Sequence, residues 1–242
     1  MKTAIITGAS GGIGSALVKK FVGEGYFVVG GYNQGKDRAE ELIRELGGCK
    51  DYFMPVFSDL SEKGGADALY GAAIENFGHA DVLICSAGVD LYKLAEETTE
   101  EDFDKLFSVN VRAEYRLASL VIPEMQRREF GRIVFVSSMW GVAGAAMESA
   151  YSASKSALIG LSKALAKETG GNVTVNCVSP GVIDTPMNAR FDKEEMAELI
   201  ERTPAARLGT PEEVAELCFF LSGEKAGFIT GQNVVIDGGF IL

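Results

Sequence analysis

A chain of 242 residues, 47% of them apolar, is long enough to bury a large single core. Its formal charge of −11, from 34 acidic and 23 basic side chains, argues against an extended nucleic-acid surface and leaves room only for a local basic patch. The 29 glycines follow no fixed period, which rules out a fibrous repeat.

Taken in chain order, Ala4 to Thr7 reads as a buried strand that runs into a glycine-rich loop. Ile13, Ala16, Leu17 and Phe21 then recur at helical spacing until Gly23 and Gly25 stop the helix. A second strand starts at Tyr26 and runs through about Gly31, and Ala39, Leu42, Ile43 and Leu46 mark the next helix face. Phe53 to Phe57 is a strand, Ala66, Leu69, Ala73 and Phe77 a helix, and Val82 to Cys85 a strand. One long helix is predicted over roughly 102–128, followed by a strand at Ile133 to Val136, a helix over 150–168 and a strand at Val173 to Val178. Residues 184–210, with Pro186 and Pro204, break the rhythm around a short helix at Glu194 to Glu201. Pro211 opens a further helix, and Val234 to Ile236 is the last strand. Wholly apolar strands alternating with amphipathic helices predict an α/β chain: one Rossmann domain over 1–242 with a doubly wound parallel sheet. Within it, 184–210 is expected to be a short helical insertion, or lid, on the substrate side.

The four cysteines (Cys49, Cys85, Cys177 and Cys218) are widely spaced, and His79 is the only histidine, so neither a disulfide framework nor a metal site is expected. No stretch is apolar for long enough to span a bilayer, and the first residues carry no secretory pattern. A cytoplasmic location without a membrane partner is the expectation.

Two segments carry chemistry. Gly8, Gly12 and Gly14, with Ser10 and Ile13 between them, join the first strand to the first helix, the context in which glycines admit a dinucleotide to a helix N-terminus. Tyr151 and Lys155 stand four positions apart on a predicted helix, so their side chains share a face. An ammonium beside the phenol would favour phenolate and lower the tyrosine pKa.

With these segments in place, the chain resembles the short-chain dehydrogenase/reductase family, from Gly8 to the Gly231–Gly239 ending. The resemblance implies a nicotinamide-dependent oxidoreductase that interconverts a carbonyl and an alcohol, with Tyr151 as general acid or base. It implies that Lys155 binds the nicotinamide ribose, that Ser138, 13 residues before Tyr151, orients the substrate oxygen, and that Asn110 holds a helix distortion. Asp59, with Leu60, corresponds to the adenine contact. Ala87 and Gly88 match the end of an Asn-Asn-Ala-Gly motif whose asparagines are replaced here by Cys85 and Ser86. Pro180, Gly181, Ile183 and Thr185 match the segment beside the nicotinamide. Related enzymes pair their long helices and last strands, so a homotetramer or homodimer is expected. The apolar contacts would come from Ala113, Leu117, Leu120 and Val121, and from Asn233 to Gly239.

NADP(H) is the expected cofactor, with NAD(H) usable. Tyr32 and Asn33 stand where an NAD-selective enzyme places an acid, and Lys36 and Arg38 follow. For substrate, the chain is similar first to 3-oxoacyl-[acyl-carrier-protein] reductases, with Arg127 and Arg128 as a carrier-docking patch. It is similar second to elongation factor P 5-aminopentanone reductases, in which Trp140 would cover an aliphatic chain and Glu148 would meet its cationic end. Another small carbonyl, or a regulatory protein that binds a dinucleotide without turnover, completes the set.

Overall fold

The computed structural model describes residues 1–241. Seven strands form one sheet in the order β3-β2-β1-β4-β5-β6-β7, and every pairing is parallel. The first half comprises β1 (Thr3–Ile6), α1 (Gly12–Gly23), β2 (Phe27–Tyr32), α2 (Lys36–Leu46), β3 (Phe53–Phe57), α3 (Gly65–Phe77) and β4 (Val82–Cys85). The chain continues through α4 (Glu100–Phe107), α5 (Glu114–Arg127), β5 (Gly131–Val136), a one-turn α6 (Trp140–Ala143), α7 (Ser149–Thr169) and β6 (Val173–Pro180). It ends with α8 (Lys193–Glu201), α9 (Pro211–Leu221) and β7 (Asn233–Ile236).

Parallel strands need helical crossovers, and those helices cover both faces of the sheet. One buried layer joins α1 and α9 to the sheet through Leu17, Phe21, Val214 and Cys218. The opposite layer joins α3, α5 and α7 through Leu69, Leu117, Val121 and Leu158. Strands β1 and β4 are adjacent although β2 and β3 lie between them in sequence, so the strand order reverses there. A crevice opens at such a reversal, beyond the carboxyl ends of the strands, and ligands of this fold class bind in it.

Three expectations change. The single helix over 102–128 is two α-helices separated by a π-helical segment at Ser108–Ala113, a wider turn that hydrophobic periodicity does not register. Ala113, Leu117 and Val121 are buried within the chain itself, so they are core and not an open association face. The exposed apolar side chains on α4 and α5 are Phe103 and Tyr115. Arg128 is not a free docking cation: its guanidinium donates to Asp81 at 3.0 Å and pairs with Glu124 at 3.4 Å.

Candidate active site

The glycine loop is shaped by close backbone contacts, within itself and with the loop after β4. Gly8 has φ +65°, and a Cβ there would stand 2.9 Å from the Cα of Ala87. A Cβ on Gly14 would overlap the Gly8 carbonyl oxygen. The N-terminus of α1 that follows has neither a side-chain cap nor an acidic residue in its first turn. Its free N–H groups and positive dipole end therefore face the crevice, an arrangement that suits a pyrophosphate.

Neighbouring loops complete this side. Thr7 Oγ1 accepts from the backbone N–H groups of Ser86 at 2.9 Å and Ala87 at 2.8 Å, which pins the Ser86–Gly88 segment against the end of β1. Ser86 thus holds the loop through its backbone N–H and through its hydroxyl, which donates to the Thr7 carbonyl, without the usual asparagine. Asp59 Oδ1 accepts from the N–H and hydroxyl of Ser61 at 2.9 and 2.6 Å. The Ser61 hydroxyl, followed by other donors including Asn33, holds the Asp59 carboxyl below its ordinary range. Leu60 beside it is buried, and Tyr32 packs edge-on against Phe57. The Ser10 side chain lies against Gly35 where α2 begins, with Arg38 close by. Beyond β6, Gly181 donates its N–H to the Ile236 carbonyl at 2.9 Å, so Pro180 turns out of the sheet at a fixed point. Ile183 bridges to Gly209 through the Val182 carbonyl and the Asp184 N–H, and neither bond uses the Ile183 N–H. A Cβ on Gly12 would stand 2.6 Å from Thr185 Cγ2, so the segment after β6 folds directly over the glycine loop.

The remaining expected site residues meet at the adjoining end of the sheet. Asn110 lies in the π-helical segment, wholly buried, accepting from the Val89 N–H at 2.9 Å and donating to the Val89 carbonyl at 2.9 Å and to Ser154 Oγ at 3.1 Å. Lys155 is buried and donates to the Val136 carbonyl at 3.0 Å. Its Nζ lies 5.8 Å from the Tyr151 ring centre. Ser138 Oγ accepts from the Trp140 N–H at 3.1 Å, and Ser138 and Tyr151 line the same cleft. The expectation that Lys155 pulls the phenol down is corrected: burial dominates and raises the Tyr151 pKa, while the Ser138 hydroxyl opposes it. The phenol therefore carries its proton at neutral pH.

A cleft of about 110 Å³ joins the two halves, bounded by Ile13 and Thr185 on one side and by Ser138 and Tyr151 on the other. Trp140 lines it while packing edge-on against Phe240, with 5.6 Å between ring centres. Glu148 is buried at its wall, and Arg190 bridges Glu148 and Asp90 across the mouth. Burial, ahead of the opposing Arg190 charge, raises the Glu148 pKa. Asp90 and Arg190 were missed in the sequence, because isolated loop charges carry no spacing signal. Glu114 was missed too, although it stands three and four positions before buried Leu117 and Ala118, a helical register that marks an acid on a core face.

These features fit a nicotinamide dinucleotide: glycines clear a cradle, an uncapped helix start faces its phosphates, and buried proton-bearing groups end the same cleft. The family described as "Enoyl-(Acyl carrier protein) reductase" matches residues 8–241. The chain is 34% identical to the 3-oxoacyl-[acyl-carrier-protein] reductase FabG of Thermotoga maritima, with 100% of this chain and 98% of that one covered. It is 35% identical to the uncharacterized oxidoreductase YmfI of Bacillus subtilis, over 99% of this chain and 98% of that one. A solved short-chain dehydrogenase/reductase from Brucella melitensis superposes with a TM-score of 0.93 at 30% identity, covering 100% of this chain and 97% of that one.

Proposed function

The chain belongs to the short-chain dehydrogenase/reductase family, and from that premise we propose that it is an NADP(H)-preferring carbonyl reductase with Tyr151 as the proton donor. The observation that carries this reading is the meeting of Ser138, Tyr151 and Ile13 in one cleft, because reduction needs a proton and a hydride delivered to neighbouring atoms. The nicotinamide supplies the hydride when bound. Ser138 and the Tyr151 hydroxyl hold the substrate oxygen, and Tyr151 passes its proton to that oxygen as negative charge develops there. In the alcohol-oxidising direction Tyr151 takes the proton back. Lys155 holds the cofactor ribose and places positive charge beside the proton path, and Asn110 fixes the helix turn that shapes its rear wall. The segment 184–210 acts as a lid, with α8 burying none of its side chains fully.

Two substrate readings remain, both with the carbonyl on a protein-carried arm. The relatives named as 3-oxoacyl-[acyl-carrier-protein] reductases support a 3-oxoacyl thioester, which is the first reading. A specific observation favours the second, the aminopentanone arm of elongation factor P. Two carboxylates, Asp90 and Glu148, share the single guanidinium of Arg190 at the mouth, which leaves one negative charge for a substrate ammonium when all three are ionised. Small ketones without a carrier form the third arm of the test.

NADP(H) preference rests on the loop after β2. Asn33 is exposed where an acid would repel a 2′-phosphate, Ser10 and Arg38 converge on Gly35, and Lys36 is only loosely paired with Glu40 at 3.8 Å. Arg38 has no salt-bridge partner among the described residues. One experiment covers substrate and cofactor: kcat/KM for a 3-oxoacyl thioester, aminopentanone-bearing elongation factor P and small ketones, each with NADPH and NADH. NADPH should give the higher efficiency, and Arg38→Ala should reduce its advantage about tenfold, the value of one charge-assisted contact. Equal or better efficiency with NADH would remove the preference. No turnover on any arm would remove the reductase reading.

Self-association to a homotetramer or homodimer is part of this proposal, through the late strand as first expected and through α4–α5 side chains other than those first expected. Strand β7 is a sheet edge that exposes Val235, and Phe220 and Phe228 are exposed nearby, with Phe103 and Tyr115 on the α4–α5 side. An uncovered edge with apolar side chains favours a second copy. Light scattering across a dilution series is expected to give two or four copies, and a monomer throughout would contradict it.

A further inference from the structure

Behind the cofactor-side loops lies a buried acid that the mechanism above does not use. Glu114 begins α5, immediately after the π-helical segment, and its side chain has no access to solvent. Oε1 accepts from Thr7 Oγ1 at 2.8 Å, the same hydroxyl that holds the Ser86 and Ala87 N–H groups. Oε2 has no hydrogen-bond partner. Across that loop is Lys155, whose Nζ would stand 3.1 Å from a Cβ on Gly88 and whose one hydrogen bond is to a neutral carbonyl.

We propose that Glu114 is the counter-charge of Lys155: a positioning residue that keeps the ammonium charged inside a fully buried site and ties that charge to the Ser86–Gly88 loop. A buried ammonium with only a carbonyl partner is costly, and an acid on the facing helix offsets that cost. The groups around Lys155 single Glu114 out. Cys85 on β4 and Cys177 on β6 are thiols pushed up by burial, and Tyr151 on its own helix is a phenol also raised by burial. Burial lowers the Lys155 pKa, and Glu114 is the largest of the charges that oppose this. Around Glu114 itself, burial outweighs the favourable contacts from Cys85, Thr7, Lys155 and the Ala87 N–H, and raises its carboxyl to about 7. Above that pH it is the anion Lys155 requires.

This inference rests on Lys155 acting as in the proposed mechanism. The sign follows from the pairing: without the carboxylate, Lys155 loses its proton at lower pH, and the cofactor ribose and the proton path then lose the positive charge that the proposed mechanism places beside them. The test is Glu114→Gln, whose amide oxygen still accepts from Thr7. Its pH profile of kcat for carbonyl reduction should show the alkaline limb displaced to lower pH by about one unit, a tenfold loss on that limb. NADPH affinity, measured by fluorescence, should weaken with rising pH in the variant before it does in the wild type. Profiles that coincide in position, differing at most by a uniform factor, would overturn the proposal. Thermal unfolding provides a second arm even if Glu114→Gln folds poorly alone. Lys155→Met strands the carboxylate, so the Lys155→Met/Glu114→Gln double variant should melt higher than Lys155→Met. A double variant that melts no higher would also overturn it. Full reductase activity in Lys155→Met would instead sink the mechanism and leave the stability cycle to judge Glu114.

Discussion

Tyr151→Phe is expected to lower kcat for carbonyl reduction by about 10²- to 10⁴-fold, the usual contribution of a positioned general acid. The phenyl ring keeps the packing of a side chain that is 8% exposed, so far-ultraviolet circular dichroism, Tm and NADPH affinity should stay close to the wild type. What disappears is the hydroxyl that shares the cleft with Ser138 and carries the transferable proton. Raising the pH does not restore the variant, because no replacement acid lines that part of the cleft: Glu148 is engaged by Arg190, and Lys155 points to the Val136 carbonyl. Steady-state turnover within a few-fold of the wild type would defeat Tyr151 as proton donor while leaving the fold and family intact.

The second large effect is on cofactor binding. Gly14→Ala would drive a methyl group into the Gly8 carbonyl oxygen, a backbone atom that no side-chain rotation can move aside. Relief requires α1 to shift away from the loop, at a cost of about 1–3 kcal/mol, and it misaligns the N–H groups that meet the pyrophosphate. NADPH affinity should fall by at least about tenfold, since 1.4 kcal/mol is a factor of ten in binding. Gly71→Ala supplies the contrast. It lies inside α3 with nothing within 4 Å of the added Cβ, so it should leave NADPH binding unchanged and stabilise the chain by about 0.5–1 kcal/mol. Calorimetric titration with NADPH and thermal melts of both variants decide the matter. Unimpaired binding by Gly14→Ala would mean that the loop is not the phosphate cradle.

Much of this protein can be read from its residues in order. The alternation of apolar strands and amphipathic helices predicts a parallel sheet, and β3 and β4 run where Phe53 to Phe57 and Val82 to Cys85 place them. The glycine spacing and the Tyr151–Lys155 interval are legible because local geometry dictates them: a tight strand-to-helix turn needs missing side chains, and residues four apart on a helix share a face. Periodicity reports whether a side chain faces core or solvent, and it does not report what lies opposite. Leu117 and Val121 therefore looked equally suited to a partner helix or to the chain's own sheet, and only packing assigns them to the core. Arg128 looked free until the fold brought Asp81, 47 positions away, against it. The π-helical turn at Asn110 depends on hydrogen bonds to Val89 and Ser154, partners supplied by other elements. The phenol's upward shift, the acid pair at the cleft mouth and the placing of Glu114 behind Lys155 share one cause. Electrostatics inside a protein depend on burial and on neighbours distant in sequence, and both come into being only when the sheet and its two helical layers close.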